Sequence, residues 1–412
     1  MKPNRFFRCR GFVRFQPPDF QGFDFLKELP MNSLFRHPLS LLLAVALAGA
    51  LSACGGESVG SPGSANPPGS GAPIDPAPPG EPAPPAPPAP PGPPTQPPVK
   101  PTDRFTYAPI KDQVKGITEA QGEAVNGKLY MFGGFDGFKP CCTPTDRAFV
   151  YDPAGDSWTP LPKMPVPRGS VSANGGVTHT GLTTDGQNIY YAGGYVADAA
   201  GTQQIFATKA AFQYNIASQT YTQLPDLPQA RGAGQMQYLD GKLHFFGGMN
   251  QERNRDTPDH YVLDLRSGAA AWTTARPMTV PRNHMAAVAL NGKIYAVGGQ
   301  RGHEPFVAQA TVEVYDPATD RWTTAKSLPL ARSHIESTFV LGQRIVVAGG
   351  EKSAGQIVTD VTAYDPATDT WTPLTPLPEG RTGGVAAAVG DGFVYTGGSG
   401  SPKGWIAKPV TP

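Results

Sequence analysis

The sequence predicts an all-β repeat array over residues 103–412, preceded by a long lead that carries no fold of its own. Three observations predict it. First, paired glycines close a strand-like run six times, at 133–134, 193–194, 247–248, 298–299, 349–350 and 397–398, with spacings of 60, 54, 51, 51 and 48 residues. Second, five of these pairs are followed by an aromatic residue (Trp158, Tyr221, Trp272, Trp322, Trp371) and, ten positions later, by a basic one (Arg168, Arg231, Arg282, Arg332, Arg381). Third, 49 Gly and 47 Pro in 412 residues, with only 16% charged residues, rule out long helices and coiled coils. A formal charge of +1 leaves no basic field for nucleic acid. A period near 50 residues marks a repeat architecture rather than a chain of unrelated domains.

The lead divides into three segments. Residues 40–51 are a charge-free apolar run of twelve, preceded by Arg36 and His37 and followed by Ser52-Ala53-Cys54. The run is too short to span a bilayer, which takes about 20 apolar residues. A basic start, a short apolar middle and small residues before a cut describe a secretory signal. Its ending, Leu51-Ser52-Ala53-Cys54, resembles the lipobox of bacterial lipoproteins. That resemblance implies that Cys54 is lipidated and becomes the first residue of the mature chain. Gly55 rather than Asp follows it, which by the same resemblance favours the outer membrane. Residues 1–30 carry Asp19, Asp24 and Glu28 ahead of the apolar run, so translation is expected to start at Met31, with 31–53 as the signal peptide and 1–30 as a spurious extension. Between residues 55 and 101 lie 19 prolines. Proline cannot donate to a ladder, so residues 54–102 read as a lipidated Cys followed by a disordered, polyproline II-like spacer of roughly 3.1 Å per residue.

The array resembles the kelch repeat, whose marks are the double glycine and a spaced Tyr and Trp, here Tyr151/Trp158, Tyr315/Trp322 and Tyr364/Trp371. The resemblance implies a six-bladed β-propeller, one four-stranded antiparallel sheet per repeat. Asn126-Gly127, Asp240-Gly241 and Asn291-Gly292 supply tight turns between the first and second strands. Six double glycines but only five aromatic-basic units leave one unit missing at the C-terminus. Phe105, with Lys115 ten residues later, supplies it. Residues 105–110 are therefore expected as the fourth strand of the last blade, beside a third strand around 405–410. This closure removes two exposed sheet edges.

Strand parity places the loops that follow the double glycines (135–147, 195–206, 249–259, 300–310, 351–357) on the same face as the connections carrying Lys115, Arg168, Arg231, Arg282, Arg332 and Arg381. Those six cations either bond scaffold carbonyls or bind an anionic ligand at the channel. A second register lies fourteen or fifteen residues before each first glycine and reads Glu119, His179, Ala233, His284, His334 and Gly383. On innermost strands these residues are expected to line the channel mouth, with His179, His284 and His334 as ligand-binding candidates. Three His and a Glu could hold a metal, but His is frequent there in kelch repeats, and no metal or cofactor is assigned. Glu336, two residues after His334 on the same face, and Glu119 are the candidate proton-transfer groups. Cys141 and Cys142 can form a vicinal disulfide, pair between chains or stay reduced; in an oxidising compartment the vicinal bridge is favoured.

The functional reading is a membrane-anchored, extracytoplasmic kelch propeller in the cell envelope, an outer-membrane lipoprotein facing periplasm or cell surface. It binds the bilayer through Cys54 and a saccharide, peptide or protein on its loop face. The alternative is a sugar mutarotase or epimerase, since periplasmic sialic acid mutarotases are similar in architecture. A galactose-oxidase reading fails because the Cys and His positions do not supply its copper-radical constellation.

Overall fold

The computed structural model describes residues 103–138, 143–167, 175–198 and 205–410. Among these residues every regular element is a strand, and the strands form six four-stranded antiparallel sheets and three two-stranded ribbons. Blade 1 runs outward through Gln121–Val125, Lys128–Phe132, Ala148–Asp152 and Ser157–Pro160. Blades 2 to 5 repeat this order from the innermost strands Gly181–Thr184, Gln235–Leu239, Ala286–Leu290 and Phe339–Leu341. Each innermost strand contacts the next, and the cycle closes between blades 6 and 1.

Blade 6 is composite. Gly384–Val389, Gly392–Gly397 and Gly404–Pro409 come from the C-terminal end, and Phe105–Pro109 supplies the outermost strand. The pairing runs antiparallel from Phe105↔Pro409 to Pro109↔Trp405. The expected closure is present, with one correction of register. In the other blades the fourth-strand aromatic donates a hydrogen bond to a main-chain carbonyl of the preceding blade: Trp158 to Lys111, Tyr221 to Pro162, Trp272 to Pro225, Trp322 to Arg276 and Trp371 to Lys326, all at 2.8–2.9 Å. In blade 6 the residue that does this is Tyr107, whose hydroxyl donates to the carbonyl of Thr375 at 2.8 Å. Phe105 instead packs edge-on against Phe393 in the core.

The core lies between the blades, not within one central mass. Six apolar clusters fill the six interfaces, for example Leu129, Met131, Val385 and Val394 between blades 6 and 1, or Phe246, Met285, Ile294 and Ala296 between blades 3 and 4. Both faces of each sheet are thus covered, so strands such as Ile189-Tyr190-Tyr191-Ala192 are buried on alternate and intervening positions alike. The double glycines have positive φ at both positions in all six repeats. At Gly134 a Cβ would run into the carbonyl oxygen of Thr118 and the amide nitrogen of Ala120, both at 2.7 Å. Only glycine fits where the second strand leaves the sheet under the neighbouring loop.

The two ends of the propeller differ. One carries tight turns, including Asn126-Gly127, Asp240-Gly241 and Asn291-Gly292, each with positive φ at both residues. The other carries the long connections, some folded into short ribbons such as Tyr195–Ala197 with Ile205–Ala207. The chain enters at the turn end: Arg344, beside the turn between the first two strands of blade 5, donates to the carboxylate of Asp103 at 2.6 Å.

Candidate functional site

The second glycine of each pair donates its N–H to a carbonyl of the following blade: those of Val177, Arg231, Arg282, Arg332, Arg381 and Ile117. This fixes the equivalent positions. The six-membered basic ring expected from ten-residue spacing is, in the structure, a belt of four arginines with Ile117 and Val177 at the other two places. Lys115 stands two residues before Ile117 because the aromatic anchor is Tyr107, not Phe105, and its side chain is exposed beside Phe138. Arg168 lies outside the described residues, nine before Val177. Cys54, Cys141 and Cys142 also lie outside them.

The four arginines are buried and committed to the scaffold. Arg282 donates to the carbonyls of Gly298 (2.9 Å), Val280 (3.0 Å) and Ala296 (2.9 Å) and pairs with the fully buried carboxylate of Glu313. Arg332 donates to the carbonyls of Gly349 and Asp360 and to the hydroxyl of Thr362. Arg231 pairs with Asp259. Arg381 reaches Glu379 and Ser401 and stacks over Trp405.

Two residues further on, the second register forms a feature that spacing alone did not show. Glu119, His179, Ala233, His284, His334 and Gly383 all have φ between 48° and 61°. Each donates its N–H to the carbonyl of its predecessor: His179 to Glu119 (3.3 Å), Ala233 to His179 (3.0 Å), His284 to Ala233 (3.0 Å), His334 to His284 (3.2 Å), Gly383 to His334 (3.3 Å) and Glu119 to Gly383 (2.8 Å). Six blades are thereby joined by a closed circle of six backbone hydrogen bonds around the axis. The left-handed backbone turns each N–H toward one neighbour and each C=O toward the other. Gly383 was the clue available in the sequence, since glycine at one member of a register points to positive φ at all of them.

The side chains of this circle gather at the axis. His179 and His284 rings lie 4.8 Å apart, and His284 and His334 rings 4.3 Å apart. Nε2 of His179 is 3.4 Å from Oε2 of Glu119, and Nε2 of His334 is 3.9 Å from its Oε1. The missing side chain at Gly383 makes room for the Glu119 carboxyl, whose oxygen would sit 2.4 Å from a Cβ there. Glu351 joins from the blade 5 loop, 3.1 Å from Nδ1 of His334. Phe135, Tyr195 and Phe306 pack edge-on over these imidazoles, and Arg253 lies over the Tyr195 ring, donating to His303 at 2.7 Å. Phe135, Tyr195 and Glu351 share a further register, each directly after a glycine pair, whereas Arg253, His303 and Phe306 have no place in the repeat.

Burial sets the charge state. It pushes the Glu119 carboxyl well above the usual range, helped by Glu336 and Glu351 nearby, and raises Glu336 to about 8. It holds His179 and His284 well below the usual imidazole range, helped by His334, and lowers His334 to about 3. At neutral pH the cluster thus joins protonated carboxyls to neutral imidazoles. One oxygen of Glu119 and one of Glu336 are buried without a hydrogen-bond partner. Among the described residues, no group of three or more His, Cys, Asp and Glu side chains is placed to hold a metal ion.

The blade architecture agrees with the sequence comparisons. A model of the KLHDC2/KLHL20/DRC7 kelch-repeats domain matches residues 178–398, and the kelch motif matches 120–165. The chain belongs to the kelch-repeat family. This kelch propeller is similar to the kelch-like protein terF of Aspergillus terreus, with 31% identity over 249 residues, covering 60% of this chain and 52% of that protein. It is similar to the kelch repeat-containing protein At3g27220 of Arabidopsis thaliana, with 26% identity over 244 residues, covering 55% of this chain and 54% of that protein. Alpha-scruin of Limulus polyphemus is 30% identical over 225 residues, 53% of this chain and 23% of that protein. The kelch propeller thus spans about half, or less, of the length of these curated relatives. The solved structure titled "Structure of YjhT" superposes with a TM-score of 0.56 at 14% identity, covering 73% of this chain and 95% of that one, which supports the propeller fold. Kelch propellers are a kind of module that generally mediates protein interactions.

Proposed function

We propose that this chain is a lipid-anchored, extracytoplasmic kelch propeller that captures a protein partner on its loop face. The observation that carries the reading is the distribution of exposed apolar side chains. Val114, Phe138, Val166, Phe206, Val307 and Ile357 are the large hydrophobic residues left exposed among the described residues, and all six lie in connections of the loop end. Isolated apolar residues on a surface need no explanation, but six gathered on one end of a rigid ring match an interaction surface. The supports for the anchor are Cys54, its preceding apolar run and the Pro-rich spacer. Asp103 joins the propeller at the turn end, so a tether there leaves the loop face pointing away from the bilayer. The commitment of four arginines to Glu313, Asp259, Glu379 and main-chain carbonyls takes four of the six cations expected as an anion clamp away from a mutarotase-type reaction, and so weighs toward binding.

The test is site-directed photocrosslinking in the intact envelope, with the reactive group at Val307 on the loop face or at Asn291 on the turn face. A discrete protein adduct is expected from position 307, lost when Phe206 and Ile357 are changed to Asp. Equal adducts from both faces, or none from either, would overturn the reading. Fractionation of the Cys54→Ser chain tests the anchor, and the expected result is its loss from the membrane.

A further inference from the structure

We propose that the axial cluster is a receptor for a primary ammonium group, the end of a lysine side chain presented by the protein docked on the loop face. This rests on the loop-face reading and adds the chemistry at its centre.

The hydrogen bonds of the cluster fix its polarity. The hydroxyl of Thr178 donates to the carbonyl of Glu119 at 3.1 Å, so toward Nδ1 of His179, 2.9 Å away, it can only accept. Nδ1 of His179 therefore carries the hydrogen. The amide nitrogen of Asn283 donates to Asp256, which turns its oxygen to Nδ1 of His284. Nδ1 of His334 faces the Glu351 carboxyl and the Ser333 hydroxyl. All three imidazoles are thus held with Nδ1 as donor, and each Nε2 is a lone-pair acceptor. Nε2 of His179 and of His334 flank the Glu119 carboxyl, and the His284 ring lies between theirs. The Nε2 acceptors of His179 and His334 have only the single hydrogen of the protonated Glu119 carboxyl between them, so an acceptor is left over at the centre of the ring, and one buried Glu119 oxygen has no hydrogen-bond partner.

An acceptor set of this kind calls for a cation that brings hydrogens. A transition metal would need nitrogen and oxygen ligands at about 2.0–2.2 Å, and the described residues offer no such group. An ammonium has three donors and sits at about 2.7–3.0 Å from each acceptor, which suits a looser set. The approach fits as well. Phe135, Tyr195 and Phe306 form an aromatic collar over the imidazoles, and the guanidinium of Arg253, 4.6 Å from the Tyr195 ring, shows that the collar already accommodates a cation. The apolar side chains further out suit the four-carbon stem of lysine. Arg253 is then the resident competitor that an incoming ammonium displaces or joins.

The test uses the full chain with labelled histidines, titrated with n-butylammonium chloride and, separately, with uncharged n-butanol. The ammonium is expected to shift the imidazole resonances of His179, His284 and His334 saturably at up to about 0.1 M, where even a Kd near 10 mM saturates, and to leave His244 and His260 in place. Glu119→Gln is expected to weaken binding about tenfold, as for loss of a charged hydrogen bond. Glu351→Gln, outside the backbone circle, gives a severalfold loss and serves if the first variant does not fold. Arg253→Gln is expected to tighten binding. No shift in the unmodified chain, or equal shifts with butanol, overturns the proposal. The two readings fail separately: loop-face crosslinks without an imidazole response remove only the ammonium site, and an imidazole response without crosslinks removes the docking surface.

Discussion

The arginine belt and the axial circle are two polar layers in one register, two residues apart and almost equally buried. They solve burial in opposite ways. In the belt, the terminal guanidinium nitrogens end on carbonyls, hydroxyls or carboxylates, with only Nε of Arg332 and of Arg381 unpartnered, and Arg282 and Arg332 are fully enclosed. In the axial circle the main chain is satisfied but the side chains are not, and burial suppresses charge instead of pairing it. A buried layer of cations bonded to the scaffold holds the blades together. One with acceptors to spare has capacity for something that arrives.

The sharpest break of this contrast is Arg282→Met. It strands the buried Glu313 carboxylate and three carbonyls, and is expected to cost about 3–5 kcal/mol in urea unfolding, as when one partner of a buried pair is removed. A cost under about 1 kcal/mol would place the belt outside the load path.

The axial layer predicts pH dependence of both signs. Glu336 keeps its proton to about pH 8 in the folded chain but releases it near 4.5 when unfolded. The folded state binds more protons across that window, so stability declines as pH rises through it, by up to about 1.4 kcal/mol per pH unit for one group. Glu336→Gln is expected to flatten the alkaline limb of a stability profile. His334 is protonated near 6.5 when unfolded and only near 3 when folded, so stability also declines as pH falls from 6.5 toward 3. Coincident profiles for the parent chain and Glu336→Gln would mean that the carboxyl is not buried as described.

Tyr107→Phe removes one inter-blade bond to Thr375 without opening a cavity, and should lower stability by about 0.5–1.5 kcal/mol. The smallest effect belongs to Lys115→Ala. An exposed cation outside the belt should change stability by no more than about 0.5 kcal/mol, and a loss comparable to that of Arg282→Met would return Lys115 to the ring.

The contrast also explains what could be read beforehand. Blade number, closure and the two registers depend on residues that recur from repeat to repeat: glycines with positive φ and an aromatic that ties to the previous blade in all six, and an arginine under the double glycine in four. Such demands recur and so appear as spacing. Lys115 falls outside the ring because counting ten from an aromatic assumes that the right aromatic was chosen, and the place expected for Arg168, which lies outside the described residues, is held by Val177. Tyr107 carries the blade 6 bond, and Val177, nine positions after Arg168, stands under the glycines. Phe135, Tyr195 and Glu351 directly follow glycine pairs, but the residue there is different in every repeat, so the spacing marks the place and not its chemistry; Phe306, Arg253 and His303 come from loops that differ between blades and have no period. The left-handed geometry of Glu119 and His179 was hidden for another reason: their side chains suggest chemistry, whereas it is their main chain that closes the circle.

The composite blade has a mechanical consequence. Asp103 and the loop face lie at opposite ends of strand Phe105–Pro109, so if the proposed anchor and partner both hold, tension between them would run along that strand. The five residue pairs from Phe105↔Pro409 to Pro109↔Trp405 are then sheared together instead of unzipped one after another. A propeller closed in this way would bear a pull on the chain ahead of Phe105 without the pull itself prising the ring open.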